Sequence, residues 1–214
     1  KLYQQGQSLL LSFAELEQSI KGDEAYDGLL KISSPGSLGL KLYSHLLDFQ
    51  AKHPKLILDY TFASNKVIEG SIINRQCDFA LMTELSKLDK IISHKIAIEQ
   101  LVVVTPASVQ QVDWSTLNHL GFISHPDGSY HAQLLLSQNF EEFQSINQFP
   151  HKGFSNQISL ICVPVSYGFG FTVLPLHAVS CFEDQSAIKI HPLTNPVYET
   201  VYFCIHSQTV VNRR

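Results

Sequence analysis

The spacing of apolar residues changes character along the chain. Over the first 22 residues Leu2, Leu9 and Leu16 recur at every seventh position, and Gly6, Phe13 and Ile20 form a second row offset by four. This is an a/d seam, the pattern of a helix that pairs along one narrow stripe, with Gly6 as its weak point. Gln, Glu and Lys fill half of the other positions, and Gly22-Asp23 ends the run. From Gly28 onward the pattern alternates between strand and helix. GLLKIS (28–33) reads as a strand, and SPGSLG leads into a helix with Leu38, Leu42, Leu46 and Phe49 on one face, stopped by Pro54. KLILDYTF (55–62) is a second strand. Ser64-Asn65 can cap a helix carrying Val67, Ile68 and Ile72, and DFALM (78–82) is a short third strand.

A long β-branched run, IAIEQLVVVT (96–105), ends at Pro106, and a second set of elements follows. Strands are expected at 121–124, 152–155, 171–174 (closed by Pro175), 187–191 and 199–206, with helices at 130–143 and 157–167. Strand and helix alternating at this spacing predict βαβ units and mainly parallel sheets. The reading is two similar α/β lobes, joined by two crossover segments near 101–105 and 199–206 and preceded by a linker helix.

Composition narrows the function. The 214 residues are 44% hydrophobic and 16% charged, an ordinary globular balance. With a net charge of −4 and arginine only at 75, 213 and 214, the chain is not expected to grip nucleic acid by itself, because that requires clustered cations on phosphates. No apolar stretch is long enough to cross a membrane. The four cysteines show no C-x-x-C spacing, and Cys77, Cys162 and Cys204 sit in apolar runs, so they read as buried reduced thiols. The ten histidines show no ligand spacing, and no metal or other cofactor is expected. Gly168-Phe169-Gly170 follows a helix instead of preceding one, so it reads as a helix stop and not as a dinucleotide fingerprint. No nucleophile elbow or paired catalytic carboxylates can be assigned, and the chain is not expected to be an enzyme.

The segment GLLKISSPGSLGLKLYSHLLDFQAKHPKLILDYTFASNKVIEGSIINRQCDFALMTE resembles the opening half of LysR-type effector-binding domains. It shows a strand, a small-residue loop, a helix ending in F-x-x-x-H-P, a strand, a loop with Ser64, a helix and a C-D-x-A-L strand. NQISLICVPVSYGFGFTVLP is similar to the same family's helix, G-x-G turn, strand and proline, and the heptad helix resembles its linker helix. The resemblance implies the two-lobed, Rossmann-like type 2 periplasmic-binding-protein fold. The linker would be 1–22, lobe I 24–102 plus 205–214, and lobe II 103–204. It further implies a small-molecule effector bound between the lobes of a bacterial, cytoplasmic transcriptional regulator. That regulator would be a homodimer, or a tetramer when intact, touching DNA only through a winged helix-turn-helix upstream of this sequence. The family's last helix would be cut short at VVNRR.

Such a fold puts helix N-termini, whose first N–H groups lack intrahelical partners, at the carboxyl ends of parallel strands, where an anion can be held without arginine. The resemblance assigns effector contacts to Ser34, Gly36 and Ser37 of the first loop and to Ser64 of the second. Thr83, after the third strand, joins them, and Ser124 and Asn156 are the looser counterparts in lobe II. The first two loops can also be read as plain helix caps, and Asn156 is expected both to cap a helix and to offer its amide. An anionic or zwitterionic metabolite is the expected ligand, bridging Ser34, Ser37 and Ser64 to Asn156. The competing class is a free-standing solute-binding protein, or an enzyme, on the same fold; the heptad helix speaks against it, since a transport receptor needs no dimerising helix before its first strand.

Overall fold

The strand expected at 28–33 is β1 (Gly28–Ser34) in the computed structural model of the chain, which describes residues 26–209. The heptad helix and the VVNRR tail lie outside the described residues. β1 pairs in parallel with β2 (Leu56–Phe62) along its whole length, and with β3 (Phe79–Met82) through Ile32–Phe79 and Ser33–Ala80. β9 (Tyr198–His206) runs antiparallel to β3, with Ala80 opposite Cys204, and β4 (Ile91–Pro106) comes next in the sheet. The chain divides into two compact units, one running to Ile98 and resuming at Thr200, the other Glu99–Glu199, so β4 and β9 each pass from one unit to the other.

In the first unit, α1 (Gly36–Lys52) joins β1 to β2, and α2 (Asn65–Ile73) joins β2 to β3. Alternate residues of a strand face opposite ways, and here both faces are covered. Leu81 packs with Ile32, Val201 and the α1 stripe Leu38, Leu42 and Leu46. Ala80 and Met82 pack on the other side with Ile68 and Ile72 of α2, Cys77 and Cys204. α1 stops where Pro54 requires it. His53 has left helical geometry (φ −127°, ψ 75°), as the residue before a proline tends to do.

The second unit is built on the latter half of β4. Leu101 and Val103 belong to one core, Val102 and Val104 to the other, and all four are essentially inaccessible to water. β4 pairs antiparallel with β7 (Thr172–Pro175) and β8 (Ile188–His191). β5 (Phe122–Ser124) and β6 (His151–Phe154) form a parallel pair that a bridge from Phe122 to Phe171 ties to β7. α3 (Trp114–Leu120) and α4 (Gly128–Leu136) pack on the Leu101 side, where Phe122, Phe149 and Phe171 meet edge to face.

Several elements differ from their sequence patterns. The helix expected at 130–143 ends at Leu136. The Asn139 side-chain amide donates to the carbonyls of Leu135 and Asn195, which fastens the chain as it turns away, and Phe143 reaches the core from a turn. The helix expected at 157–167 is broken into a 3-10 turn (Ile158–Leu160) and the five-residue α5 (Cys162–Ser166). Pro164 has no N–H to bond the Leu160 carbonyl, so a continuous helix is denied a bond there. Two helices had no counterpart in the pattern. α3 starts at Asp113, whose carboxylate accepts the Thr116 N–H at 2.7 Å. α6 (Leu176–Ser180) starts directly after Pro175, whose φ of −60° suits a helix entry. Gly168, at φ +83°, follows α5 as a helix stop should. Cys77, Cys162 and Cys204 are buried and unpaired, and Cys181 is exposed. Burial raises all three buried thiols, Cys162 to about 12, which makes them poor nucleophiles.

Candidate functional site

Three connections leave the carboxyl ends of β1, β2 and β3, and they hold the first unit's candidate residues. α1 begins after Pro35 and α2 after Ser64, neither with a side-chain cap and neither with an acidic residue in its first turn. Their leading N–H groups therefore carry uncompensated partial positive charge. Gly36 is the first residue of α1, and Ser37, almost buried, is the second. The hydroxyls of Ser37 and Ser64 have no protein partner among the described residues, which leaves them open to a bound molecule. Ser64 sits at the expected N-cap position in extended geometry, yet it contributes its carbonyl, not its hydroxyl, to the helix: Ile68 N–H donates to Ser64 O at 3.0 Å.

Ser34 and Thr83 are already engaged. The Ser34 hydroxyl donates to Pro35 O at 2.9 Å and lies 2.7 Å from the Tyr60 hydroxyl. Having one proton, Ser34 must receive the Tyr60 O–H, and burial raises the Tyr60 pKa. The Thr83 N–H donates to Asn65 Oδ1 and its Oγ1 accepts from Asn65 Nδ2, both at 2.9 Å; the same amide reaches Glu84 Oε1 at 3.4 Å. Asn65, read from sequence as part of a cap, is thus a buried clamp that fixes the start of α2 to the end of β3. Its type and place were visible in the sequence, but the partner lies 18 residues away and only the parallel pairing brings it near.

In the second unit Ser124 ends β5, half-buried, with a hydroxyl free of protein partners among the described residues. Its carbonyl accepts the Ser155 N–H at 3.1 Å, which brings Ser124 beside the loop holding Ser155 and Asn156. Asn156 is exposed and does not cap the turn that follows. Gln157 holds the cap position, and its N–H is taken by Ser155 Oγ at 3.1 Å. The expected capping role of Asn156 is therefore corrected, and its amide has no partner among the described residues. Next to Ser124, His125 is buried with Nε2 2.9 Å from Val173 O. Burial, and then the charge of His131, push its pKa down to about 3, so at neutral pH the ring is neutral and Nε2–H donates to that carbonyl. The buried His131–Glu199 pair, with Nε2 2.9 Å from Oε2, had no signal in the sequence, since its members are 68 positions apart.

A family model described as the LysR substrate binding domain matches residues 23–214. No curated protein sequence matches the chain. Among solved structures it is similar to the reduced OxyR regulatory domain of Pseudomonas aeruginosa, with 17% identity, a TM-score of 0.67, and coverage of 88% of this chain and 92% of that one. A full-length OxyR variant from the same organism is 18% identical, with a TM-score of 0.71 and coverage of 94% and 74%. The CcmR regulatory domain of Synechocystis, in complex with 2-PG, is 17% identical, with a TM-score of 0.67 and coverage of 85% and 89%.

Two outcomes follow from the site geometry. Asn65→Ala removes two buried hydrogen bonds and should cost about 1–3 kcal/mol of stability, read by urea unfolding; a loss below measurement error would show that the clamp carries no weight. For His125, the unfolded imidazole takes up a proton near pH 6.5 while the folded one resists until about pH 3. Its contribution is therefore complete above the unfolded value and lost as pH falls through that window, by up to about 1.4 kcal/mol per pH unit. His125→Gln, which keeps a donor for Val173 O, should flatten the acid limb of a stability–pH curve; an unchanged limb would count against this assignment.

Proposed function

The chain belongs to the LysR substrate binding domain family, the ligand-sensing part of LysR-type transcriptional regulators, and from that membership we propose that a small effector, held by both units, sets the activity of an intact regulator. One observation carries the reading. Two helices start uncapped at the carboxyl ends of adjacent parallel strands, with the free hydroxyls of Ser37 and Ser64 beside them. Backbone amides at such a place favour a negatively charged or carboxylate-bearing group. Gly36, which lacks a side chain, allows close approach to the backbone. Ser34 and Thr83 shape this surface through their bonds to Tyr60 and Asn65.

On the second unit, Ser124 and Asn156 supply the matching contacts. The effector is an anionic or zwitterionic metabolite, in keeping with the CcmR relative, which is in complex with 2-PG. A contact to each unit is required because a ligand shifts a conformational equilibrium only as far as it binds one state better than the other. The domain acts by binding and not by catalysis, inside a bacterial cytoplasm. The intact regulator contacts DNA through a winged helix-turn-helix joined by the linker helix 1–22.

Self-association is part of the proposal. Leu40, Tyr43 and Leu47 on α1 are 37–42% exposed, and Ile57 and Phe62 on β2 more so. They form the face expected to meet a second copy, and the seam helix adds a further contact. Sedimentation at tens of micromolar should give a dimer that Leu47→Lys weakens; a wild-type monomer would refute this.

The effector can be found by thermal shift, since saturation at about 100 times Kd adds about 2.7 kcal/mol. With it in hand, Ser64→Ala should weaken binding by about 0.5–1.5 kcal/mol for a neutral hydrogen bond, or about 1.5–3 for a charged one. Asn156→Ala should weaken binding and also blunt the change in scattering profile on saturation. Calorimetry that finds neither affinity altered twofold would remove the site assignment. Weak binding by Asn156→Ala with an undiminished scattering change would keep the site but end the two-unit mechanism.

A further inference from the structure

Three buried titratable side chains in the second unit take no part in the effector contacts above. His131, near the start of α4, has Nε2 2.9 Å from Glu199 Oε2, and the two side chains are 3% and 0% exposed. The His125 ring centroid lies 5.2 Å from that of His131. Glu199 Oε1 has no hydrogen-bond partner among the described residues. Glu199 is also the last residue of its unit: at Thr200 the strand β9 continues into the other. The β5–α4 loop between Ser124 and Gly128 is thus bounded by two fixed points. His125 hangs from the Val173 carbonyl of β7, and His131 hangs from β9.

A buried carboxylate is tolerated when a counter-charge and a well-made hydrogen bond offset its desolvation. With one oxygen unpartnered, Glu199 depends on His131 for both. Such a pair adds little stability over an apolar pair of similar size, but unlike one it is directional and admits only a narrow range of geometries. We propose that His131 and Glu199 form an imidazolium–carboxylate latch that positions the β5–α4 loop against the end of β9 at which the chain leaves the unit. The proposal rests on the reading of Ser124 as an effector contact, and adds the element through which occupancy of that loop reaches the crossing strand. His131 and Glu199 are positioning residues here and touch no ligand. The charged state also fits the neutral ring of His125, whose protonation would place a second cation beside the first.

The test needs no effector. In the nitrogen-15-labelled chain at neutral pH, the His131 ring should show both nitrogens protonated in the imidazolium range, and the His125 ring a single neutral tautomer. In Glu199→Gln the imidazolium signature of His131 should disappear. Amide exchange over residues 124–131 should then become about tenfold faster while that of β1 is unchanged. A neutral His131 ring in the wild-type chain overturns the latch, and that measurement does not depend on any variant folding. Wild-type exchange rates over 124–131 in Glu199→Gln overturn the positioning role. The apolar replacement His131→Leu with Glu199→Leu should stay folded and still exchange faster there; full protection in it would show that packing, not charge, holds the loop. If Ser124→Ala leaves effector affinity unaltered while these spectra come out as expected, the latch stands and the effector reading of Ser124 fails.

Discussion

Parallel pairing of β1 with β2 and β3 is the constraint on which the rest of the first unit depends. Two parallel strands cannot be joined by a tight turn, so each connection must cross back along a face of the sheet as a helix. The consequence is that α1 and α2 both begin at the carboxyl end of the sheet. Their unbonded N–H groups are thereby gathered at one edge. Ser37, Ser64 and Asn65 lie in the connections this topology creates, Ser34 ends β1 beside them, and Thr83 follows β3 at the same edge.

The chemistry at that edge divides into supports and free groups. Tyr60 and Asn65 immobilise Ser34 and Thr83, and this stiffens the loops around two hydroxyls that have no partner among the described residues. Rigid surroundings with a few unsatisfied donors suit recognition of a small polar molecule, because little conformational freedom is lost when it arrives. The second unit follows a related scheme with a different fixing device. Its loop after β5 is flanked by histidine contacts to β7 and β9, and the Ser124 hydroxyl and the Asn156 amide beside it have no partner among the described residues.

How much of this could be read in advance depended on the range of the interaction. The apolar stripe of Leu38, Leu42 and Leu46, the stop at Pro54 and the β-branched run ahead of Pro106 are local patterns, and the structure follows them. The exposed row Leu40, Tyr43 and Leu47 is the same helical periodicity seen from outside. The helices expected at 130–143 and 157–167 were too long. There the apolar spacing continued while the backbone was claimed by Asn139 in one case and denied a donor by Pro164 in the other.

The sequence by itself determined the alternation of strand and helix, the family, and where the short polar loops fall, because all of these are written in residues close together in the chain. It could not decide which of those loop residues are free. That Asn65 is spent on Thr83, that Ser34 is taken by Tyr60, that Asn156 caps nothing, and that His131 finds Glu199 were decided only by the tertiary structure. The physical reason is that a polar group's availability depends on what desolvates and bonds it, and here those partners lie 18 to 68 positions away, brought close by strand pairing and core packing.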